Sequence, residues 1–198
     1  METFNPHPKQ EIVINDNSRW RLVNCGRRFG KTTLAVNEML AYAALRPKSL
    51  IVYFAPTFTQ ARDIAWRMLK NTAPQYGRIS QINESRLEIK INDSEIWLRG
   101  VENYESARGL GIHFLVVDEI AMMRNWYHIW EEVLYATTRD TKGQGLFCST
   151  PKGYNHWFEM WEKGQRGEDE YKSWTFTSYD NPYIPAEEID KAKIQLRR

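Results

Sequence analysis

The sequence predicts an α/β protein with a mainly parallel central sheet, helices on its faces and one antiparallel hairpin. Three observations carry this. Short apolar runs alternate with helix-periodic segments along the 198 residues. One run, "RWRLVNC", leads through Gly30-Lys31-Thr32 straight into a helical pattern. Another, "HFLVVDE", stays apolar until it ends in two acids. Ligands in such folds sit at the carboxyl ends of strands, which is where these polar residues fall.

The elements follow in order. Residues 19–25 read as a strand, and residues 31–46 as a helix ended by Pro47. "SLIVYFA" (49–55) is fully apolar, as in strands covered on both faces. "TFTQARDIAWRMLKNTA" (57–73) is amphipathic and is closed by Pro74. "SRLEIKI" and "SEIWLRG" alternate about an Asn-Asp pair, which predicts a hairpin. A buried strand over 113–119 and a helix over 125–137 come next. "GLFCST" (145–150) is a strand, followed by a Trp-rich helix over about 155–164. "YKSWTFTS" is the last strand, and a helix starts near Pro185.

Bulk composition narrows the class. The length suits one domain with a full core. No apolar run reaches the roughly 20 residues of a membrane span, and "METFNPHPKQ" does not read as a signal peptide. Two cysteines, Cys25 and Cys148, point to reduced thiols in a cytosolic setting rather than a disulfide framework. Residues 1–100 carry 15 Lys/Arg against 9 Asp/Glu, while the remainder carries 12 against 16. Such a dipolar chain can turn a basic face to phosphates, although charge also fluctuates along any sequence. His113, His128 and His156 lack metal-ligand spacing, so no zinc site is expected. The aromatics of "NWYHIWEEVLY" and "NHWFEMWEKG" recur at helical intervals and read as core.

The strand–Gly-Lys-Thr–helix arrangement is the setting of a phosphate-binding loop. Backbone N–H groups of Cys25, Gly26, Arg27, Arg28, Phe29, Gly30, Lys31, Thr32 and Thr33 would cradle phosphate oxygens. Lys31 brings charge to the β- and γ-phosphates, and the Thr32 hydroxyl can ligate Mg²⁺. Gly30 avoids a Cβ where backbone approaches ligand. Asp118 suits Mg²⁺, directly or through water, and Glu119 suits a base that deprotonates an attacking water. A lone Gly-Lys-Thr is weak, but with the acidic strand it predicts Mg-ATP hydrolysis. The first loop position holds Cys25 where the general pattern has glycine, and Arg27 and Arg28 crowd the loop.

"CGRRFGKT", "FLVVDE" and "CSTPKG", in that order, resemble the ATPase domain of the large terminase subunit of tailed bacteriophages. The deviant first position and the arginine inside the loop are part of the resemblance. It covers nearly the whole chain and implies a phosphate-loop ATPase of the RecA-like additional-strand type. The implied function is ATP hydrolysis powering movement of double-stranded viral DNA into a procapsid. "HPKQ" resembles the adenine-recognition element and points to Gln10. "APTFTQA" (55–61) resembles a motif shared with helicases, and "TSYDNPYIP" the segment after the last strand. "STPKG" resembles the coupling motif, with Ser149, Thr150 and Gly153 on a strand between the loop strand and the acidic strand. Arg27 and Arg108 are candidates for neutralising charge on the γ-phosphate. Arg108, in "SARGLG", is favoured as a finger acting on a neighbouring subunit, and Arg27 as a sensor or loop brace. Either could instead pair with a local acid such as Glu102 or Glu105.

The resemblance further implies a homo-oligomeric ring on the procapsid that is monomeric when isolated. The implied partners are the portal protein and the small terminase subunit, in the host cytoplasm and transiently at the portal. The family also carries a nuclease domain. No second acidic cluster follows "VVDE", so residues 1–198 read as one ATPase domain without nuclease activity. The alternatives are a helicase-like or repair translocase, and a nucleotide-regulated binding module with negligible hydrolysis.

Overall fold

The structure, a computed structural model, describes residues 4–168 and 170–196. Eight strands form one sheet: β1 (Trp20–Cys25), β2 (Leu50–Ala55), β3 (Ile79–Asn83), β4 (Glu88–Ile91), β5 (Ser94–Gly100), β6 (Phe114–Asp118), β7 (Gln144–Ser149) and β8 (Tyr171–Phe176). Their order is β3-β4-β5-β2-β6-β7-β1-β8. β1 pairs in parallel with both β7 and β8, and β2 with both β5 and β6. Only β4 runs against its neighbours. The expected hairpin is therefore part of a three-stranded meander. β3 joins it with one largely exposed face and little apolar alternation, so periodicity does not reveal it.

The helices are α1 (Pro8–Ile14), α2 (Lys31–Leu45), α3 over residues 58–72, α4 over 126–137, α5 (His156–Gln165) and α6 (Ala186–Leu196). α3 and α4 each contain a π-helical turn, Ala61–Trp66 and Ile129–Leu134. α1 replaces the polar turn that an N-terminal "HPKQ" would otherwise suggest. The strand "GLFCST" ends at Ser149, so Thr150 and Gly153 stand beyond it rather than on it.

Strand alternation sorts the core into two layers. Val23, Ile51, Tyr53, Val116, Leu146 and Cys148 face the layer covered by α2 and α3. Leu22, Val52, Phe54, Val117 and Phe147 face the layer of α4 and α5, where Trp126, Trp130 and Trp157 pack. Burial on both faces is why the central strands read as unbroken apolar runs. The Trp-rich helices are core, as their spacing predicts. β1, β6 and β7 are adjacent, so their carboxyl ends converge on one place.

Candidate functional site

The site is built on three strand ends. After β1 the chain turns through residues 26–30 into α2. Gly30 is its N-cap, with φ +100°. A Cβ there would stand 2.8 Å from the Gln10 amide nitrogen. The left-handed backbone and this contact, rather than ligand approach alone, explain the glycine. The loop is braced from two sides. From α1, the Gln10 amide donates to the Gly30 carbonyl at 3.1 Å, and the His7 ring lies 3.1 Å from the Phe29 carbonyl. From the segment after β8, Ser178 Oγ donates to the Arg27 carbonyl at 2.7 Å and the Asn181 amide to the Arg28 carbonyl at 2.8 Å. Phe29 is buried in a stack on Phe176. The loop thus keeps its shape with a non-glycine, Arg28, at φ +65°.

At the end of β6, Asp118 is only 3% exposed. Its Oδ2 accepts the Tyr53 hydroxyl at 2.9 Å, and its Oδ1 accepts the Glu119 N–H, also at 2.9 Å. Burial pushes its pKa up to about 6, and neighbouring Glu119 adds to this. A buried carboxylate held by hydrogen bonds but short of compensating charge suits a divalent cation. With the Thr32 hydroxyl it offers the hard oxygen donors that Mg²⁺ takes. Glu119 itself adopts φ +53°, a costly conformation for a residue with a side chain. That twist turns its carboxylate toward β7.

There Glu119 meets Thr150. The Thr150 N–H donates to Oε2 at 3.1 Å and its hydroxyl to Oε1 at 3.0 Å. Lys31 closes the junction, with Nζ 3.0 Å from Thr150 Oγ1 and 3.5 Å from Glu119 Oε1. Burial works against the Lys31 charge. The thiols and carboxylates around it outweigh that and hold its pKa above the ordinary value. Ser149 Oγ accepts the Ala121 N–H at 3.0 Å, tying β7 to the turn after the acidic pair. His156, at the start of α5, lies 2.7 Å from the Ile120 carbonyl.

Residues 22–195 match a family described as the terminase large subunit, T4likevirus-type, N-terminal. The chain belongs to this terminase family. It is 26% identical over 187 residues to the large terminase subunit of Thermus phage G20c, covering 83% of this chain and 37% of that protein. It spans less than half the length of these curated relatives. The large terminase ATPase domain of Thermus phage P74-26 superposes with a TM-score of 0.84 at 23% identity, covering 98% of this chain and 88% of that one. The large terminase of a thermophilic bacteriophage, in complex with ATP-γ-S, superposes at 0.77, with 17% identity, 94% of this chain and 48% of that one. The RecA-like fold expected from the sequence is the fold of these structures.

In this terminase chain Lys31, Glu119 and Thr150 meet directly, with Asp118 adjoining. Gly153 adopts φ +71°, and a Cβ there would meet nothing within 4 Å. Gln10 is 3% exposed. Its carboxamide both donates to the Gly30 carbonyl and accepts from the His7 N–H at 3.2 Å. Arg108 lies apart, at the surface, paired with Glu105 through its Nε and through Nη2 at 3.2 Å. Glu105 is one of the two local acids that the sequence offers it. Glu102 instead accepts the Phe58 N–H. Cys25 and Cys148 sit on adjacent strands, both buried and free. His7, Tyr53, Ser178 and Asn181 support the site and were not among the expected site residues. His7 lies in "HPKQ" and Ser178 and Asn181 in "TSYDNPYIP", segments that the resemblance singles out, whereas Tyr53 lies in a plain apolar strand.

Proposed function

We propose that this terminase chain hydrolyses Mg-ATP and that hydrolysis drives double-stranded viral DNA into a procapsid. The junction of Lys31, Glu119 and Thr150 supports this best, because it joins a phosphate-binding cation, a base and a responsive hydroxyl. An incoming triphosphate offers Lys31 a stronger anion than Glu119. N–H groups along residues 26–33 hold its oxygens. Thr32 and Asp118 would hold Mg²⁺, which neutralises charge on the β- and γ-phosphates. Glu119, released from Lys31, orients a water and takes its proton. Thr150 then exchanges its bond to Glu119 for the γ-phosphate or the attacking water. Its loss on hydrolysis moves the segment from Pro151 to Asn155. Among the described residues Arg108 contacts neither Lys31 nor Glu119 nor Thr150, so we assign it to a neighbouring copy's γ-phosphate. Arg27 braces the loop.

The thermophilic phage relative in complex with ATP-γ-S supports nucleotide binding here. The family supports a ring at the procapsid, in the host cytoplasm, with portal and small terminase subunit as partners. No helix among the described residues is long and apolar enough to cross a membrane. In this reading contacts to DNA are mostly to phosphates, hence salt-sensitive and independent of sequence. The test is ATP turnover with Glu119→Gln. Turnover is expected to fall by a factor on the order of 10²–10⁴, with ATP binding retained. Equal background rates in both proteins would overturn hydrolysis and leave a nucleotide-regulated binding module.

A further inference from the structure

Among the described residues, Tyr53 is the one side chain that hydrogen-bonds the Asp118 carboxylate. The strand register explains why it can. β2 and β6 run in parallel, with Tyr53 opposite Val116, and both face the layer covered by α2 and α3. Asp118 stands two residues past Val116, so alternation returns it to that face, while Phe54 and Val117 point to the other. Two residues of strand rise roughly 6.6 Å. Only a long side chain at position 53 spans that distance, and the phenol places its hydroxyl 2.9 Å from Oδ2. Cys148, opposite Asp118 on β7, offers no more than a thiol, which is a weak donor.

The hydroxyl adds nothing to packing. Tyr53 is fully buried in an apolar layer that a phenyl ring would fill as well. A phenolic O–H in such a layer costs stability unless it finds a partner. Its partner is a carboxylate that pairs with no cation among the described residues, since Lys31 Nζ is engaged with Glu119 at 3.5 Å. With Oδ2 held by Tyr53 and Oδ1 by the Glu119 N–H, the carboxylate cannot swing without losing a bond. Each oxygen still keeps a lone pair. Mg²⁺ demands near-octahedral oxygen donors, and outer partners that fix a ligand's orientation raise metal affinity.

We propose that Tyr53 is a positioning residue for the metal: its hydroxyl aims the Asp118 carboxylate at the Mg²⁺ that Asp118 and Thr32 would hold. This rests on the reading of Asp118 as a Mg²⁺ ligand and adds the residue that sets its direction. A neutral phenol orients the carboxylate and leaves in place the negative charge that attracts the cation. The roles around the nucleotide then separate. Phosphates are held by the N–H groups of residues 26–33 and by Lys31, and among the described residues the Tyr53 hydroxyl bonds none of these. Tyr53 therefore governs how readily metal joins the nucleotide, not how tightly the metal-free nucleotide is held.

The test follows a fluorescent ATP analogue binding to the whole chain, first in EDTA and then as Mg²⁺ is added. Tyr53→Phe deletes one oxygen and keeps the ring, and Asp118→Asn keeps the shape without the charge. Wild-type affinity is expected to tighten as Mg²⁺ rises. Tyr53→Phe should leave the affinity in EDTA unchanged and raise the Mg²⁺ concentration for half of the tightening by about tenfold or more. Saturating Mg²⁺ should restore the wild-type affinity. In the Asp118→Asn background Tyr53→Phe should shift the Mg²⁺ dependence no further, because no carboxylate is left to aim. A Tyr53→Phe titration that overlays the wild type would overturn the proposal and leave Tyr53 as packing. So would an equal loss in EDTA and in Mg²⁺, which places the effect in the fold or the loop. An equal shift in the Asp118→Asn background would overturn it too, since the effect would then bypass Asp118. A wild-type affinity indifferent to Mg²⁺ would instead overturn the reading of Asp118 as a metal ligand.

Discussion

Thr150 is the residue that ties the ends of β6 and β7 to the start of α2. It bonds Glu119 with both its N–H and its hydroxyl, and it accepts from Lys31. Thr150→Val keeps the N–H bond and the shape but deletes the hydroxyl. We expect kcat to fall by about tenfold with KM for ATP little changed, because the hydroxyl is needed once Glu119 engages water. Thr150→Ser should restore most of it. Steady-state kinetics decides, and a raised KM at unchanged kcat would make Thr150 a ground-state binder. The two thiols give a second expectation. Burial pushes Cys25 up to about 12 and Cys148 well above the usual thiol range. Native protein at pH 8 should therefore react slowly with a thiol reagent at both positions, and unfolded protein quickly at both. A fast-reacting thiol in the native state would contradict it. Lys31, Thr32, Asp118 and Glu119 stand out as candidates in the sequence because they come as adjacent pairs at the ends of apolar runs, and the structure brings Lys31 within 3.5 Å of Glu119. Tyr53 does not, since a core tyrosine announces nothing until the strands bring its hydroxyl to Asp118, and "HPKQ" points to Gln10 rather than to His7, whose ring meets the Phe29 carbonyl.

Helix α3 shows what element-scale patterns capture and miss. Its amphipathic run and Pro74 predict its extent closely. They cannot locate the π-helical turn, because one extra residue per turn shifts the apolar face without interrupting it. Nor can they find its cap. Thr57 Oγ1 accepts the Gln60 N–H at 3.1 Å, while the Phe58 N–H is taken by Glu102 Oε1 at 2.7 Å, from 44 positions along the chain. A carboxylate at a helix N-terminus satisfies an orphan donor and complements the dipole. Glu102→Ala should cost about 1 kcal/mol, less at high salt, read from the denaturation midpoint. Gly100→Ala should cost more. Its Cβ would fall 2.2 Å from the Phe58 nitrogen, a backbone atom that cannot step aside. Equal losses from both would show that the cap rather than the close approach fixes the start of α3.

The whole molecule is one sheet between two apolar layers, and the arrangement has a mechanical consequence. Each central strand contributes alternate residues to both layers, so neither can melt without loosening the backbone of the other. Lys31 and Asp118 stand where β1, β6 and β7 end, and a single sheet holds these ends in register. The two layers should therefore unfold together. Phe147→Ala removes a ring packed against Trp20, Trp126 and Trp130 in one layer, and Met39→Ala a fully buried side chain in the other. We expect losses of about 3–5 and 2–5 kcal/mol respectively, each within a single transition. The probes are well placed to expose a failure. Trp20, Trp126, Trp130 and Trp157 all report the second layer, while Trp66 reports the first. Far-ultraviolet circular dichroism sees both layers equally. Coincident transitions by fluorescence and circular dichroism in both variants would establish one cooperative unit. If the Phe147→Ala fluorescence transition ran ahead of the circular dichroism transition, the layers would be separable. The sheet could then not be the rigid frame that the proposed coupling through Thr150 requires.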